Sequence, residues 1–483
     1  MRQIIKKFLP KNRFARSVSV LAGGAAAGQG IVVLSSPLLT RLYSPEDFGL
    51  LAVYASLLMT LGVVASLRYQ LAIPLPEDDQ EAANVVILSL LVVLGMSILS
   101  LIAVFFFRVQ IAHLVSSPSL SNYLWLLPPG LFLLGTYQVF NYWALRVKAF
   151  TAIARTKLAQ SISMVVVQIG GYAIGPVSLL IGQIAGQAAG SGSLGAIAIR
   201  RRWQVFRNVN VKDVTASAKR YRRFPIFSTW AGAFNSAGTQ LPPLLFAALF
   251  NPAAAGLYML AHRVLSMPMT LVGRAVGQVF FSTGAEASRN GNLGKLVSTL
   301  HNRLSQIAMP PALFLFITGP DIFALVFGED WRMAGEAARW LSPMLYVQFI
   351  VAPLSQVNLI LEKQIHGLVL QGILFVARIA GIVSAWILTE NFITAVIFYG
   401  LGSFLGYTVF LLFIVYLSGL KISSALKPSL KNLPVSILLV IPVLLSRMLG
   451  DITILFNLSC VASFLLISLF YFHLFEHHEY TAI

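Results

Sequence analysis

The chain has 483 residues, of which 57% are hydrophobic and only 11% are charged, and its mean hydropathy is +0.79. Soluble domains carry roughly 25% charged residues, so this composition excludes a soluble enzyme, a disordered protein and a disulfide-rich secreted protein. Lys and Arg nevertheless total 35 against 17 Asp and Glu, which gives a net charge of +18. Such a charge is typical of nucleic-acid-binding proteins, and its distribution along the chain decides whether that interpretation applies.

Apolar runs long enough to cross a bilayer follow one another along the whole chain. A hydrocarbon core about 30 Å thick requires about 20 apolar residues per helix. The first run is too long for the apolar region of a signal peptide, so we expect it to be retained. The sequence therefore predicts an all-α polytopic membrane protein. We predict fourteen spans, at 17–40, 50–67, 84–107, 122–145, 158–176, 177–199, 225–250, 256–282, 304–327, 337–361, 368–388, 394–417, 433–450 and 452–472.

Basic residues are distributed very unequally between the two sides of these spans. About 27 of them fall on the side of the N-terminus, whereas the opposite side carries Arg41, Arg108, Arg332 and Arg339. Because short cytoplasmic loops are enriched in Lys and Arg, both termini are predicted to be cytoplasmic. The densest cluster, 200–223, is interpreted as an orientation signal lying on an anionic leaflet. No nucleic-acid partner is expected, since no nucleic-acid-binding module accompanies the cluster.

The chain also contains an internal repeat. Pro45-Glu-Asp-Phe-Gly49, in the first hairpin, corresponds to Pro252-Ala-Ala-Ala-Gly256 after the seventh span, and a Trp-Leu-x-Pro motif recurs later in each half. Each copy comprises six spans and therefore has the same orientation, which predicts two six-helix bundles related by a pseudo-two-fold axis along the membrane normal. The predicted domains are a first bundle (1–200), a basic cytoplasmic linker (201–224), a second bundle (225–417) and two extra helices with a cytoplasmic tail (418–483).

Four arginines fall inside predicted spans rather than in loops. Arg447 lies near the outer end of its span and near Asp451, and it is interpreted as snorkelling or internally paired, which leaves Arg263, Arg274 and Arg378. An arginine at the centre of a bilayer costs about 3 kcal/mol or more, so such residues usually face a polar cavity. The alternative is that each side chain snorkels to the membrane surface or pairs internally.

The spacing of these arginines favours a cationic cleft. Arg263 and Arg274 are eleven residues apart, which returns to within about 20° of the same helix face. A planar guanidinium can donate two parallel hydrogen bonds to a phosphate, so we predict a binding site for an anionic head group that also includes Arg378. The polar residues expected to complete this site are Thr270, Gln278, Gln371, Asn235 and Gln29.

Acidic residues are absent from the middle of the predicted spans, and Asp321 is the nearest candidate. Export of cationic drugs coupled to protons or sodium usually requires a buried carboxylate, so the sequence favours an anionic cargo and leaves the energy source open.

The sequence contains no P-loop, no Ser-His-Asp arrangement and no cluster with metal-ligand spacing, so we expect neither an enzyme nor a cofactor. The acidic run Glu77–Glu81 is interpreted as a solvated loop rather than a divalent-ion site.

Several motifs resemble one known family. Leu38-Leu-Thr-Arg-Leu-Tyr-Ser-Pro-Glu-Asp-Phe-Gly49, followed by Arg68-Tyr-Gln-Leu-Ala-Ile73, resembles the opening of bacterial O-antigen and exopolysaccharide flippases. Gly256-Leu-Tyr-Met-Leu-Ala-His-Arg263 and Phe327-Gly-Glu-Asp-Trp331 resemble later signatures of the same family. This family is the polysaccharide transporter branch of the multidrug/oligosaccharidyl-lipid/polysaccharide exporter superfamily. The resemblance extends over nearly the whole chain.

The resemblance implies two six-helix bundles with a cationic central cavity and two peripheral helices. It implies that the chain translocates undecaprenyl-diphosphate-linked oligosaccharides across the bacterial inner membrane, with Arg263 as a diphosphate ligand. Membrane lipids, a polysaccharide polymerase and a chain-length regulator are the partners expected. The chain departs from the related peptidoglycan-precursor flippases in having no arginine in the middle of the first span.

Three alternatives remain open. A drug or cation antiporter of the same superfamily would share the fold, and a major-facilitator carrier would share the repeat alone. A membrane glycan polymerase or ligase would require a sizeable outer loop, whereas every predicted outer loop is short.

Overall fold

The structure is a computed structural model that describes the backbone of residues 13–269, 273–448 and 453–476. Every regular element in these ranges is helical, which confirms the predicted all-α class. Contacts between residues divide the chain into two compact units, Met1–Leu260 and Ala261–Ile483. The domain boundaries predicted at residues 200 and 224 follow the repeat rather than these contacts, and they stay a prediction.

The described residues of the first unit form eight complete α-helices and the start of a ninth. Helices α2 and α8 pack along each other, and the long helix α6 packs on α4 and α5. Helix α7 is a short amphipathic helix that lies against α3. The helices are α1 (Arg13–Leu42), α2 (Pro45–Val64), α3 (Asp79–Leu114), α4 (Leu127–Arg146), α5 (Phe150–Gly170), α6 (Val177–Arg207), α7 (Val211–Arg220), α8 (Thr229–Leu249) and α9 (Pro252–Pro268).

The second unit is dominated by two long pairs of helices, α11 with α12 and α13 with α14. Cys460 lies on α16 and is buried against Val440 and Val443 of α15, in agreement with a packing role. The helices are α10 (Arg274–Arg289), α11 (Leu293–Phe327), α12 (Arg332–Leu354), α13 (Gln364–Thr389), α14 (Phe392–Leu417), α15 (Lys427–Met448) and α16 (Thr453–Glu476).

Each predicted span overlaps a helix in the described residues. The eighth span, 256–282, overlaps two helices, α9 and α10, and residues 270–272 between them lie outside the described residues. In the described part of the chain, eight helices are long and apolar enough to cross a membrane by length and composition, and Phe456–Phe472 is a shorter apolar helix. The remaining helices carry Gly, Gln and Pro, which lower their hydropathy, so the count of fourteen stays approximate.

The two copies of the repeat motif begin their helices in the same way. Ser44 caps α2 by accepting a hydrogen bond from the backbone N–H of Asp47, whose side chain accepts one from the backbone N–H of Ser44. Asn251 takes the corresponding role before α9, where its side chain accepts from the N–H of Ala254 at 2.8 Å. In each case a proline follows the capping residue. Proline has no backbone N–H, and it suits the first helical turn because an N–H at that position would have no partner within the helix.

The glycines of the motif then bring these two helix starts into direct contact. A Cβ on Gly49 would lie 1.8 Å from the carbonyl oxygen of Pro252, and one on Gly256 would lie 2.1 Å from the carbonyl oxygen of Pro45. The contact is therefore reciprocal, as expected for two equivalent segments related by a local two-fold axis. Any side chain at either glycine would force the helices apart.

Candidate functional site

The guanidinium of Arg378 on α13 is held by three residues of α14. Its Nε donates to Ser403 Oγ at 3.1 Å, and its Nη2 donates to Tyr407 Oη at 2.8 Å. The guanidinium carbon lies 5.3 Å from the ring centroid of Tyr407 and 5.8 Å from that of Tyr399, within the range of cation–π attraction. All three partners on α14 are buried and neutral. They orient the guanidinium, and none of the three forms an ion pair with it.

The end of α9 lies in the same region of the second unit. Arg263 and its neighbour His262 are both half-buried there, and the charge of Arg378 acts on the imidazole of His262. The hydroxyl of Ser266 turns back to the carbonyl oxygen of Arg263 at 3.4 Å. The structure thus places His262, the neighbour of Arg263 in the sequence, within electrostatic range of Arg378.

The other predicted site residues are only partly described. Gln371 lies on α13, seven residues before Arg378, with an exposed side chain, and Gln29 is half-buried on α1 of the first unit. The side chains of Arg274, Gln278 and Asn235 lie outside the described residues, as does the whole of Thr270. The assembly of all eight residues into one cleft therefore stays a prediction.

Sequence reasoning missed the residues that hold Arg378. Tyr399, Ser403 and Tyr407 follow one another at intervals of four in an otherwise apolar helix, which places their side chains on one face. This spacing of hydroxyl-bearing residues is the signal that could have found them, because a buried hydroxyl in a membrane helix requires a partner.

A second charged region lies where α11 ends and α12 begins. Arg332 forms ion pairs with Asp321 and Glu329, and Arg339 forms one with Glu336 at 3.0 Å. These five side chains line a cavity of about 830 Å³. Asp321, the acidic residue predicted to lie nearest the membrane centre, is thus paired with an arginine in a charged cavity.

The acidic run 77–81, whose last three residues form the first turn of α3, binds arginines. Arg146 pairs with Asp79 at 3.1 Å, and Arg220 at the end of α7 pairs with Glu81 at 2.6 Å. The phenol of Tyr221 also donates to Glu81, at 3.1 Å. Burial raises the pKa of Tyr221, and the hydrogen bond to Glu81 acts in the same direction, so the phenol stays a donor at neutral pH. Through Arg220 and Tyr221, the basic linker is attached to the first turn of α3.

Comparison with solved structures shows which class of fold this is. The lipid II flippase MurJ, in an inward closed conformation, has 14% identity and a TM-score of 0.72, with 95% of this chain and 99% of that chain covered. An inward-facing multidrug resistance transporter of the MATE family, from the MOP superfamily, has 14% identity and a TM-score of 0.58, with 85% and 96% covered. A MOP superfamily transporter from Pyrococcus furiosus, described as having a binding pocket of reverse polarity, has 14% identity and a TM-score of 0.57, also with 85% and 96% covered. The chain has the fold of these multi-pass membrane transporters.

The family follows from the sequence itself. A family model described as polysaccharide biosynthesis protein matches residues 38–336, which is more than half of the chain. The chain belongs to this family, and the resemblance predicted from its motifs is confirmed. Comparison with curated proteins gave no match.

Proposed function

We propose that the chain is a flippase that moves undecaprenyl-diphosphate-linked oligosaccharides from the cytoplasmic to the periplasmic leaflet of the bacterial inner membrane. The main support for this proposal is the environment of Arg378, because Ser403 and Tyr407 hold its guanidinium in a fixed orientation inside a helical membrane unit. A diphosphate is an anion that a pre-oriented guanidinium binds well. Arg263, whose neighbour His262 lies within electrostatic range of Arg378, is proposed as a second ligand.

The proposal includes alternating access, with both termini in the cytoplasm, and delivery of units for O-antigen or exopolysaccharide synthesis. A polysaccharide polymerase and a chain-length regulator would then receive the product on the periplasmic side. Family membership and the fold shared with the lipid II flippase MurJ support transport of a lipid-linked glycan. The first span has no arginine in its middle, and for that reason we propose that lipid II is not the cargo.

Replacing the arginines tests the proposal. Arg263→Ala, Arg274→Ala and Arg378→Ala should each lower surface glycan by at least about tenfold, because a lost charge-assisted contact to phosphate is worth about 1.5–3 kcal/mol. Arg378→Lys should fall between wild type and Arg378→Ala, since lysine keeps the charge but cannot donate bidentate hydrogen bonds. Immunoblots of membrane fractions check insertion, and Arg289→Ala, an exposed arginine at the end of α10, is the matched control. Normal glycan in both Arg263→Ala and Arg378→Ala would contradict the assignment.

Purified protein in proteoliposomes separates the alternatives. We expect it to translocate an undecaprenyl-diphosphate-linked oligosaccharide, and to move lipid II no faster than empty liposomes do. Efflux of a cationic dye under a proton or sodium gradient would instead establish an antiporter. Polymerisation of glycan by the purified protein would establish a polymerase.

A further inference from the structure

We propose that the first unit carries a subsite for the sugar of the cargo, formed by Tyr137, Lys157, Gln160 and Gln187. The identity of the ligand rests on the function proposed above, whereas the cluster itself is a feature of the first unit alone. Its chemistry differs from that of Arg263 and Arg378, because it combines two neutral amides, a phenol and one cation.

Three helices meet at this cluster around a glycine of α6. A Cβ on Gly190 would lie 2.4 Å from Gln160 Nε2 and 2.8 Å from Tyr137 Cδ2, so both side chains pack against the bare backbone of α6. Gln160 Nε2 donates to Gln187 Oε1 at 3.3 Å, and Lys157 Nζ lies 4.7 Å from the ring centroid of Tyr137. One glycine therefore allows polar groups of α4, α5 and α6 to converge.

The cluster lies near the middle of α4 and α5. Tyr137, Gln160 and Gln187 are each ten residues from the first residue of their helix, which is about 15 Å at 1.5 Å per residue and half the thickness of a 30 Å hydrocarbon core. Lys157 also lies within α5, seven residues from its first residue. Binding sites at the midplane are typical of transporters built from repeats.

The polar groups in the cluster match those of sugar hydroxyls. The bond between the two glutamines uses one N–H of Gln160 and one lone pair of Gln187, so the carbonyl oxygen of Gln160 and the amide N–H groups of Gln187 retain capacity for a ligand. A sugar hydroxyl donates and accepts, and therefore pairs with both kinds of group.

Tyr137 supplies an independent indication of a ligand. Its side chain is only 6% exposed, and among the described residues its Oη has no hydrogen-bond partner. A buried hydroxyl without a partner is unfavourable, and helix packing alone would place an apolar residue there. A sugar bound beside the ring would provide the missing partner.

Binding of two lipids that differ only in the sugar tests the proposal. The probes are undecaprenyl diphosphate and undecaprenyl-diphosphate N-acetylglucosamine, titrated against the full chain in nanodiscs by native mass spectrometry. We expect wild type to bind the glycosylated lipid at least about tenfold more tightly. Gln160→Leu and Gln187→Leu should each remove most of that difference and leave the affinity for the bare diphosphate unchanged.

A glycine pair on α6 provides the matched control. Gly190→Ala introduces a methyl group between Gln160 and Tyr137 and should act like the glutamine variants, whereas Gly192→Ala meets nothing within 4 Å and should behave as wild type. Thermal unfolding of each variant separates loss of binding from loss of folding.

Two outcomes would overturn the subsite. One is equal affinity of wild type for the two lipids, and the other is an unchanged preference in Gln160→Leu and Gln187→Leu. A variant that loses affinity for both lipids equally would show that the cluster is structural, which also rejects the proposal. Failure of wild type to bind either lipid would instead reject the proposed function.

Discussion

Arg378 has one hydroxyl partner at Nε and another at Nη2, both supplied by α14. The arginine itself is predictable, because a basic residue in an apolar run of this length stands out. The four-residue spacing of hydroxyl-bearing residues on α14 marks candidate partners, but their pairing with Arg378 depends on the register between α13 and α14. That register is a property of tertiary packing, which no local sequence pattern determines.

Removing one hydroxyl tests whether the orientation of Arg378 matters. Tyr407→Phe keeps the ring above the guanidinium and deletes only Oη. Hydrogen bonds between membrane helices average about 0.6 kcal/mol, so the variant should unfold within about 1 kcal/mol of wild type. Transport should nevertheless fall by about three- to tenfold, because the guanidinium loses its fixed direction. Flipping in proteoliposomes measures this effect.

Tyr416→Phe, on the same helix but 64% exposed, is the control, and equal rates in the two variants would contradict an orienting role.

The presence of a helix is easier to predict from the sequence than the residues at which it begins and ends. Every predicted span overlaps a helix, yet α6 continues to Arg207, beyond the apolar run that ends at residue 199. Hydropathy identifies the part of a helix that lipid can surround, whereas backbone hydrogen bonding continues through the basic residues that follow. The close approach of α2 to α9 is also absent from any hydropathy pattern. It is encoded in the recurring Pro-x-x-x-Gly motif, whose role becomes evident only when Gly49 and Gly256 are seen in contact.

Adding a methyl group at this contact should destabilise the protein. Gly49→Ala places a Cβ 1.8 Å from the carbonyl oxygen of Pro252, so α2 and α9 must separate, and overpacking of this kind costs about 1–3 kcal/mol. The thermal unfolding midpoint in detergent should fall accordingly. Gly95→Ala, in the interior of α3, introduces the same methyl where nothing lies within 4 Å and serves as the control. Equal midpoints for the two variants would show that the contact is not tight.

For the whole molecule, the net charge of +18 is informative only through its distribution. Most of the basic residues lie on one predicted side, but the structure assigns several of them additional roles. Arg146 and Arg220 bind acidic residues in the first turn of α3, and Lys157 lies within α5 against Tyr137. The distribution of basic residues among the loops therefore predicts the orientation of the chain in the membrane. Which of these residues pair with acidic or aromatic side chains depends on the fold. The predicted orientation itself depends on the positive-inside rule.

Labelling of single cysteines tests this orientation. Asn290, after α10, and Glu390, after α13, are both exposed, and three predicted spans separate them, so they should lie on opposite sides of the membrane. Cys460 is buried, and Cys460→Ser removes the only native thiol. On that background, an impermeant maleimide applied to intact spheroplasts should label Glu390→Cys at least about tenfold more than Asn290→Cys, because a bilayer excludes charged reagents. Permeabilised membranes should label both positions.

The reverse pattern would place the termini in the periplasm, and strong labelling of both positions in sealed spheroplasts would require an even number of spans between α10 and α14.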